Sequence, residues 1–393
     1  MDEPILVLQP GRERSLQRRH PWVFSGALGR MQGRAGSGDT VVLASADGTP
    51  FGRASYHPKA SILARVWTFD PDERVDGAFF ARRIAAAVAR RAHLAARTDA
   101  ARLVFGESDG LPGVVVDRYG GWVVVQLGTP GADRWRREIV EVLAALPGVH
   151  GVYERSDTDA REREGLATRV GVLAGAEPPE RVEIVEDGCR HLVDVRHGQK
   201  TGWYLDQRDN RAAVAREAAG RRMLEVFSYS GAFGTAALAA GAADVVSVDS
   251  SGPALALAAE ERRHAGLPTG TLVEADAFKD LRQRRDAHER YDLIVVDPPK
   301  LAPRESYLER ASRAYKDINW LAIRLLAPGG LLATFSCSAA MSAELFQKIL
   351  FGAATDARRD LQIVQRLGPA PDHPVLLSFP ESDYLTGLLL RAL

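Results

Sequence analysis

The chain has 393 residues, with 51 Lys plus Arg against 51 Asp plus Glu, 46% hydrophobic and 26% charged residues. That composition excludes an intrinsically disordered chain, and no apolar run approaches the roughly 18 residues of a membrane span. Only two cysteines occur, Cys189 and Cys337, which excludes a disulfide scaffold and a cysteine metal cluster, so any cysteine chemistry has to come from a single thiol and no metal is expected. No apolar segment follows the acidic start Met1-Asp2-Glu3-Pro4, so the expectation is a chain without a secretory signal and with a cytoplasmic address. A net charge of zero leaves nucleic acid open, because an even total can hide a basic face. Only six basic residues are Lys, but Ala is abundant too, so the Arg excess is read first as base composition. The length predicts two or three domains.

In chain order, apolar runs at residues 5–8, 22–24, 40–43 and 62–67, cut by turn signals, predict a small all-β unit. Its opening loop, residues 11–22, gathers Arg12, Arg14, Arg18 and Arg19 beside Trp22, as a phosphate-contacting surface would. Residues 76–97 predict a helix from the spacing of Phe80, Ile84, Ala87, Val88 and Leu94. Strands follow at 111–118 and 122–127 around Tyr119-Gly120-Gly121, then a helix at 133–146 and a strand near Val152. Residues 171–179 read as a Gly/Pro-rich linker, and 182–195 as a hairpin turning at Asp187-Gly188, which leaves Cys189 a structural role. From about Gln199 strands near 223–227, 245–249, 271–274, 293–296 and 331–336 alternate with helices, the pattern of a parallel sheet covered on both faces. Two last strands, near 362–366 and 384–390, predict an antiparallel terminal hairpin.

Chemistry is expected at the strand ends of this last region, where open α/β sheets bind ligands. After the first strand, Phe227-Ser228-Tyr229-Ser230-Gly231 offers small residues for close approach to a helix N-terminus. Asp249 ends the second strand, placed for ribose hydroxyls, and Asp276 ends the third, within reach of an adenine edge. No G-x-G-x-x-G and no Gly-Lys-Ser/Thr loop occurs, which argues against nicotinamide and nucleoside triphosphates. The fourth strand ends in Asp297-Pro298-Pro299-Lys300, where two prolines force a rigid, extended exit behind the carboxylate. The fifth ends in Ser336-Cys337-Ser338, which puts a thiol at the same edge, placed to act as a nucleophile.

The C-terminal half resembles a class I S-adenosylmethionine-dependent methyltransferase. The whole chain resembles the bacterial large-subunit (23S) ribosomal RNA cytosine-C5 methyltransferases that carry an N-terminal PUA domain. The resemblance rests on residues 18–26 (Arg-Arg-His-Pro-Trp-Val-Phe-Ser-Gly), 106–113 (Gly-Glu-Ser-Asp-Gly-Leu-Pro-Gly) and 200–208 (Lys-Thr-Gly-Trp-Tyr-Leu-Asp-Gln-Arg), and on Asp297-Pro298-Pro299-Lys300, 315–319 (Tyr-Lys-Asp-Ile-Asn) and Ser336-Cys337-Ser338. It implies an α/β fold: a class I methyltransferase domain, Rossmann-like, with a mostly parallel seven-stranded sheet and an antiparallel terminal hairpin, over residues 191–393. A PUA-like β-rich domain (1–71) and an α+β middle domain (72–190), both on the RNA, would precede it. The implied cofactor is S-adenosylmethionine, with Phe227, Ser230 and Gly231 on its methionine side, Asp249 on the ribose, and Asp276 with Ala277 framing the adenine. Glu225 takes the acidic position of the first motif, and Gln207 is a further pocket candidate. Phe227 and Tyr229 stand where glycines are commoner in such loops.

The activity so implied is methyl transfer to carbon 5 of a cytosine, with Cys337 attacking carbon 6 and Asp297 stabilising the developing charge. Lys300 stands where some relatives carry a second cysteine that assists release, so the release base has no assignment; Lys300 joins Arg12, Arg14, Arg18 and Arg19 as an RNA contact. Expected partners are large-subunit ribosomal RNA, protein-free or early in assembly, and no membrane, with a homodimer left open. Two alternatives stand beside this reading: a methyltransferase acting on an exocyclic amine of adenine or guanine, and a non-catalytic RNA-binding assembly factor.

Overall fold

The computed structural model describes residues 3–302 and 304–393. Two compact units emerge: Met1–Ile184 with Val193–Trp203 and Asp372–Ser382, and Val185–Leu192 with Tyr204–Pro371 and Asp383–Leu393. No helix among the described residues is long and apolar enough to cross a membrane.

The first unit holds two sheets. One contains β1 (Ile5–Leu8), β2 (Trp22–Phe24), β3 (Leu28–Gln32), β4 (Thr40–Ala44), β5 (Pro50–Tyr56) and β6 (Ile62–Thr68) in the order β2-β6-β5-β4-β1-β3, with a one-turn helix α1 (Arg14–Gln17) before β2. Strands β3 and β5 escape the sequence pattern because glycines and polar residues interrupt them. At Gly52 a side chain would meet the Thr68 carbonyl oxygen at 2.0 Å, so glycine is what lets β5 lie against β6. The second sheet is β11-β10-β9-β8-β7, built from β7 (Ala100–Phe105), β8 (Val114–Tyr119), β9 (Trp122–Leu127), β10 (Gly151–Ser156) and β11 (Arg169–Gly175). Most of the stretch expected as a linker is thus an edge strand: residues 169–175 pair antiparallel with β10, and only the residues after Gly175 connect. Helix α2 (Gly77–Arg91) starts where the Asp76 carboxylate accepts the Phe79 amide at 2.9 Å, and it buries Phe79, Phe80, Ile84 and Ala87 against this sheet's core. Short helices α3 (Pro130–Arg134), α4 (Arg136–Ala144) and α5 (Asp159–Arg163) complete the unit.

The hairpin β12 (Val182–Glu186) and β13 (Cys189–Val193) turns at Asp187 and Gly188, both left-handed as a tight hairpin requires. The second unit is a single seven-stranded sheet. Its strands are β14 (Arg222–Val226), β15 (Asp244–Asp249), β16 (Thr271–Glu274), β17 (Tyr291–Val296), β18 (Leu326–Ser336), β19 (Leu361–Leu367) and β20 (Thr386–Ala392), in the order β16-β15-β14-β17-β18-β20-β19. Five strands run parallel and β20 enters antiparallel between β18 and β19, the predicted terminal hairpin. Central strand β17 carries Leu293-Ile294-Val295-Val296, all fully buried, because helices cover both faces. Those helices are α6 (Arg208–Arg216), α7 (Ala232–Ala239), α8 (Gly252–His264), α9 (Ala277–Asp286), α10 (Leu308–Leu325) and α11 (Ala343–Ala357). The strand order reverses beside β14, so the crevice at the carboxyl ends of β14, β15 and β17 is the topological switch point.

Candidate active site

At the end of β14 the backbone makes a tight, strained excursion. Phe227, Tyr229 and Gly231 all adopt positive φ (61°, 48° and 72°), a region costly for the two aromatic residues and held here by hydrogen bonds. The Ser228 amide donates to the Val248 carbonyl (3.0 Å), the Tyr229 amide to Asp249 Oδ2 (2.7 Å) and the Gly231 amide to the Ser228 carbonyl (2.8 Å). A side chain at Gly231 would meet the buried Arg262 Nη2 at 2.8 Å, so glycine lets the loop close onto α7 at this left-handed position without displacing that guanidinium. Asp249 also accepts the Ser251 amide at 2.8 Å through Oδ1, leaving each carboxylate oxygen a further lone pair for a hydroxyl. Asp276, exposed, caps α9 by accepting the Lys279 amide (2.9 Å), with Ala277 buried behind it. The Phe227 ring meets Phe278 at 6.4 Å.

Glu225 faces the other way. The residue is 1% exposed, and its carboxylate accepts the Phe233 amide at the start of α7 (3.1 Å) and the Ser247 hydroxyl (3.0 Å), with Arg262 Nη2 at 3.7 Å. It therefore braces the loop from beneath. Burial pushes its pKa up to about 7, against the lowering influence of Arg262, Ser247 and the Gly234 and Phe233 amides. Between the ordinary 4.5 and about 7 the folded protein holds this proton more tightly than the unfolded chain does, so the contribution of Glu225 to stability declines as pH rises through that window and is constant above it. In Glu225→Gln this contribution should vanish, so the difference in stability between the two proteins should change with pH through that window. Losing the counter-charge to Arg262 only offsets the curve. Thermal midpoints of both proteins from pH 4.5 to 8 test this; a constant difference across the range would refute it.

At the neighbouring strand ends the chemistry converges. The Cys337 thiol, half-buried at the end of β18, lies 3.8 Å from the Pro298 carbonyl oxygen, its acceptor, so the thiol and the Asp-Pro-Pro turn touch. Asp297 Oδ2 accepts Gln207 Nε2 at 2.9 Å. The serines flanking Cys337 are tied to one phenol: Ser336 Oγ donates to Tyr315 Oη at 2.9 Å, and Ser338 Oγ lies 3.3 Å from it while accepting the Ala302 amide at 3.1 Å. Tyr204 completes the cluster, its ring 5.7 Å from that of Tyr229. Burial, then the nearby charges of Asp297, Tyr229, Asp206 and Cys337, push its phenol well above the ordinary range, so it stays protonated.

The second unit thus brings together Gln207, Phe227, Ser230, Gly231, Asp249, Asp276, Ala277, Asp297 and Cys337 along one edge of the sheet, with Glu225 behind it and Lys300 exposed beyond Pro299. Arg12, Arg14, Arg18 and Arg19 lie on the first unit, all exposed, Arg19 with its guanidinium over Phe69 at 5.5 Å. Sequence reasoning gave no role to Tyr204, Tyr229 or Tyr315, although Tyr204 and Tyr315 stand inside motifs that carried the family resemblance.

A family model for S-adenosylmethionine-dependent methyltransferases matches residues 139–391, and one for PUA-like domains matches residues 6–69. The chain belongs to the S-adenosylmethionine-dependent methyltransferases. The family's cofactor fits these residues. Ser230 Oγ and Ser228 Oγ are buried (1% and 7% exposed for the residues) with no hydrogen-bond partner, hydroxyls that a polar ligand at this loop would satisfy. Relatives of this methyltransferase named "Ribosomal RNA large subunit methyltransferase I" are 47% identical over 99% of both chains in Shigella boydii and 48% identical over 97% of this chain and 98% of its relative in Cronobacter sakazakii. A SAM-dependent methyltransferase structure from Streptococcus mutans superposes with a TM-score of 0.83 at 24% identity, over 98% of this chain and 99% of that one, and supports the fold. A second structure, a methyltransferase complexed with SAH, reaches 0.85 at the same identity and coverage.

Proposed function

We propose that this methyltransferase modifies carbon 5 of a cytosine in large-subunit ribosomal RNA, through a covalent bond between Cys337 and carbon 6. One observation carries the reading: the thiol sits at the end of β18 against the Pro298 carbonyl, with Asp297 and the cofactor loop at the adjoining strand ends. The names of its full-length relatives support ribosomal RNA as the substrate.

When bound, S-adenosylmethionine supplies an electrophilic methyl group. Phe227, Ser228, Ser230 and Gly231 hold its methionine side, Asp249 its ribose hydroxyls, and Asp276 with Ala277 its adenine. The cytosine ring is too weak a nucleophile at carbon 5 until a thiolate adds to carbon 6. As the S–C6 bond forms, the C5–C6 π electrons become available at carbon 5, while Asp297 steadies the N3 and amino edge. After carbon 5 has gained its methyl group its proton passes to water, the C–H electron pair returns to the C5–C6 bond, and the S–C6 bond breaks with its electron pair leaving on sulfur as the thiolate. A stacked base cannot reach this edge, so extrusion or a single-stranded target is required, at a cost of a few kcal/mol. The domains at 1–71 and 72–190 hold the RNA, with Arg12, Arg14, Arg18, Arg19 and Lys300 on phosphates.

The test is nucleoside mass spectrometry of large-subunit ribosomal RNA from cells lacking the gene, incubated with purified protein and methyl-labelled cofactor. Labelled 5-methylcytidine is the expected product. Label on an amino nitrogen would replace this reading with the exocyclic-amine one, and cofactor binding without transfer to any RNA would replace it with the assembly factor.

A further inference from the structure

Gln207 came forward as a pocket residue, yet its side chain is turned to another task. It is 2% exposed and lies in a chain of amide contacts that begins at a backbone carbonyl and ends on Asp297. Asn210 Nδ2 donates to the Gly368 carbonyl at 2.9 Å and to Gln207 Oε1 at 2.6 Å, and Gln207 Nε2 donates to Asp297 Oδ2 at 2.9 Å. The direction of this chain is fixed by its first member. A backbone carbonyl only accepts, so the Asn210 amino group has to face Gly368. That same amino group then requires an oxygen from Gln207, which turns the Gln207 amino group toward Asp297. At the far end Asp297 Oδ2 can only accept.

We infer that Gln207, anchored by Asn210, is a positioning residue that orients the Asp297 carboxylate and keeps Oδ2 unprotonated. Oδ2 is held as an acceptor, and the carboxylate plane is set before substrate arrives. This inference rests on the reading that gives Asp297 a role in transfer. It goes beyond it by assigning Gln207 to the acid and not to the cofactor. The Gly368 anchor lies on the segment after β19, so the chain of contacts ties Asp297's charge state to the terminal hairpin of the sheet.

The test compares wild type with Gln207→Leu, Gln207→Glu and Asn210→Asp. Gln207→Leu removes the donor, and kcat for total label transferred to RNA should fall about 10- to 100-fold, the cost of a misplaced reacting group, with the cofactor dissociation constant within about threefold of wild type. Gln207→Glu sets two carboxyl groups face to face, which must share a proton, so the acid limb of the kcat profile should move up by about one pH unit or more. Asn210→Asp reverses the polarity of the chain at constant volume and should reproduce the loss. The 13C resonance of the Asp297 carboxyl, assigned with Asp297→Asn, should show the same rise in Gln207→Glu without any transfer assay. Parallel weakening of cofactor binding would overturn the proposal by making Gln207 a cofactor ligand; kcat within twofold, or an unshifted Asp297 titration, would overturn it as well. Counting label on any base keeps the outcome separate from the cytosine-C5 reading, which fails on product identity alone.

Discussion

Cys337→Ala is expected to lower methyl transfer by at least about a thousandfold while leaving cofactor affinity within about threefold. The asymmetry follows from where the groups lie. Ser228, Ser230, Gly231 and Asp249 belong to the loops after β14 and β15, held by their own hydrogen bonds, and none of these involves Cys337. The thiol instead contacts the Pro298 carbonyl and lies between two serines pinned to Tyr315, so its removal costs that one weak sulfur contact and leaves the serine–Tyr315 hydrogen bonds in place. What disappears, on the proposed route, is the one thiol among the described residues at this edge, the group that adds to carbon 6. A hydroxyl does not replace it, since serine has no comparable ionised fraction at neutral pH, so Cys337→Ser should be as inactive as alanine. RNA carrying 5-fluorocytidine, which has no proton to lose from carbon 5, should trap wild type as a denaturant-stable adduct and leave both variants free. Turnover of Cys337→Ala within tenfold of wild type would move the reaction to an exocyclic amine, for which Asp297 alone is suited.

Much of this site was legible in the chain because its key groups sit at strand ends, and strand ends are announced locally. The apolar run before Asp297 and the prolines after it mark both the strand and its rigid exit, as do the run before Cys337 and the alternation that places Asp249 and Asp276. The remainder depends on contacts between residues far apart in sequence. Gln207 meets Asp297 across 90 positions and Asn210 meets Gly368 across 158, and no local pattern reports such pairs. Glu225 stands at the acidic position of its motif, but the direction of its side chain is set by Ser247 and Arg262 on other elements. Residues 171–175 carry two glycines and so resemble a connector; they form a strand because β10 offers a free edge, with which Gly171 and Gly175 both pair. Motif residues also split in purpose. Trp22 and Glu107 belong to separate motifs that suggested the family, and the structure joins them through an indole hydrogen bond of 2.8 Å, which makes both part of the first unit's framework.

The same framework role underlies the largest expected loss of stability. Asp109, in the motif at residues 106–113, has a fully buried side chain that accepts Arg91 Nη1 and Nη2 at 2.7 Å each, Arg90 Nη2 at 2.8 Å and the Phe105 amide at 2.7 Å. Arg91 is itself buried and also donates to the carbonyls of Ala87, Arg102 and Asp372, the last drawing the segment Asp372–Ser382 into the first unit. Asp109→Ala leaves the Arg91 charge buried without its counter-ion and the Phe105 amide without its acceptor, and it should cost about 3–5 kcal/mol. Arg90 adds little, because its side chain is 53% exposed and an ion pair at the surface is screened by water. Tryptophan fluorescence during urea unfolding is a suitable probe, since Trp22, Trp67, Trp122, Trp135 and Trp203 all lie in the first unit and only Trp320 in the second. The mechanism is separable from mere loss of attraction. If an uncompensated charge is the main cost, Arg91→Met combined with Asp109→Ala should recover a substantial part of the loss, because removing both ions spares each its desolvation. A double variant no more stable than Asp109→Ala would instead assign the loss to the Phe105 amide and the turn it closes.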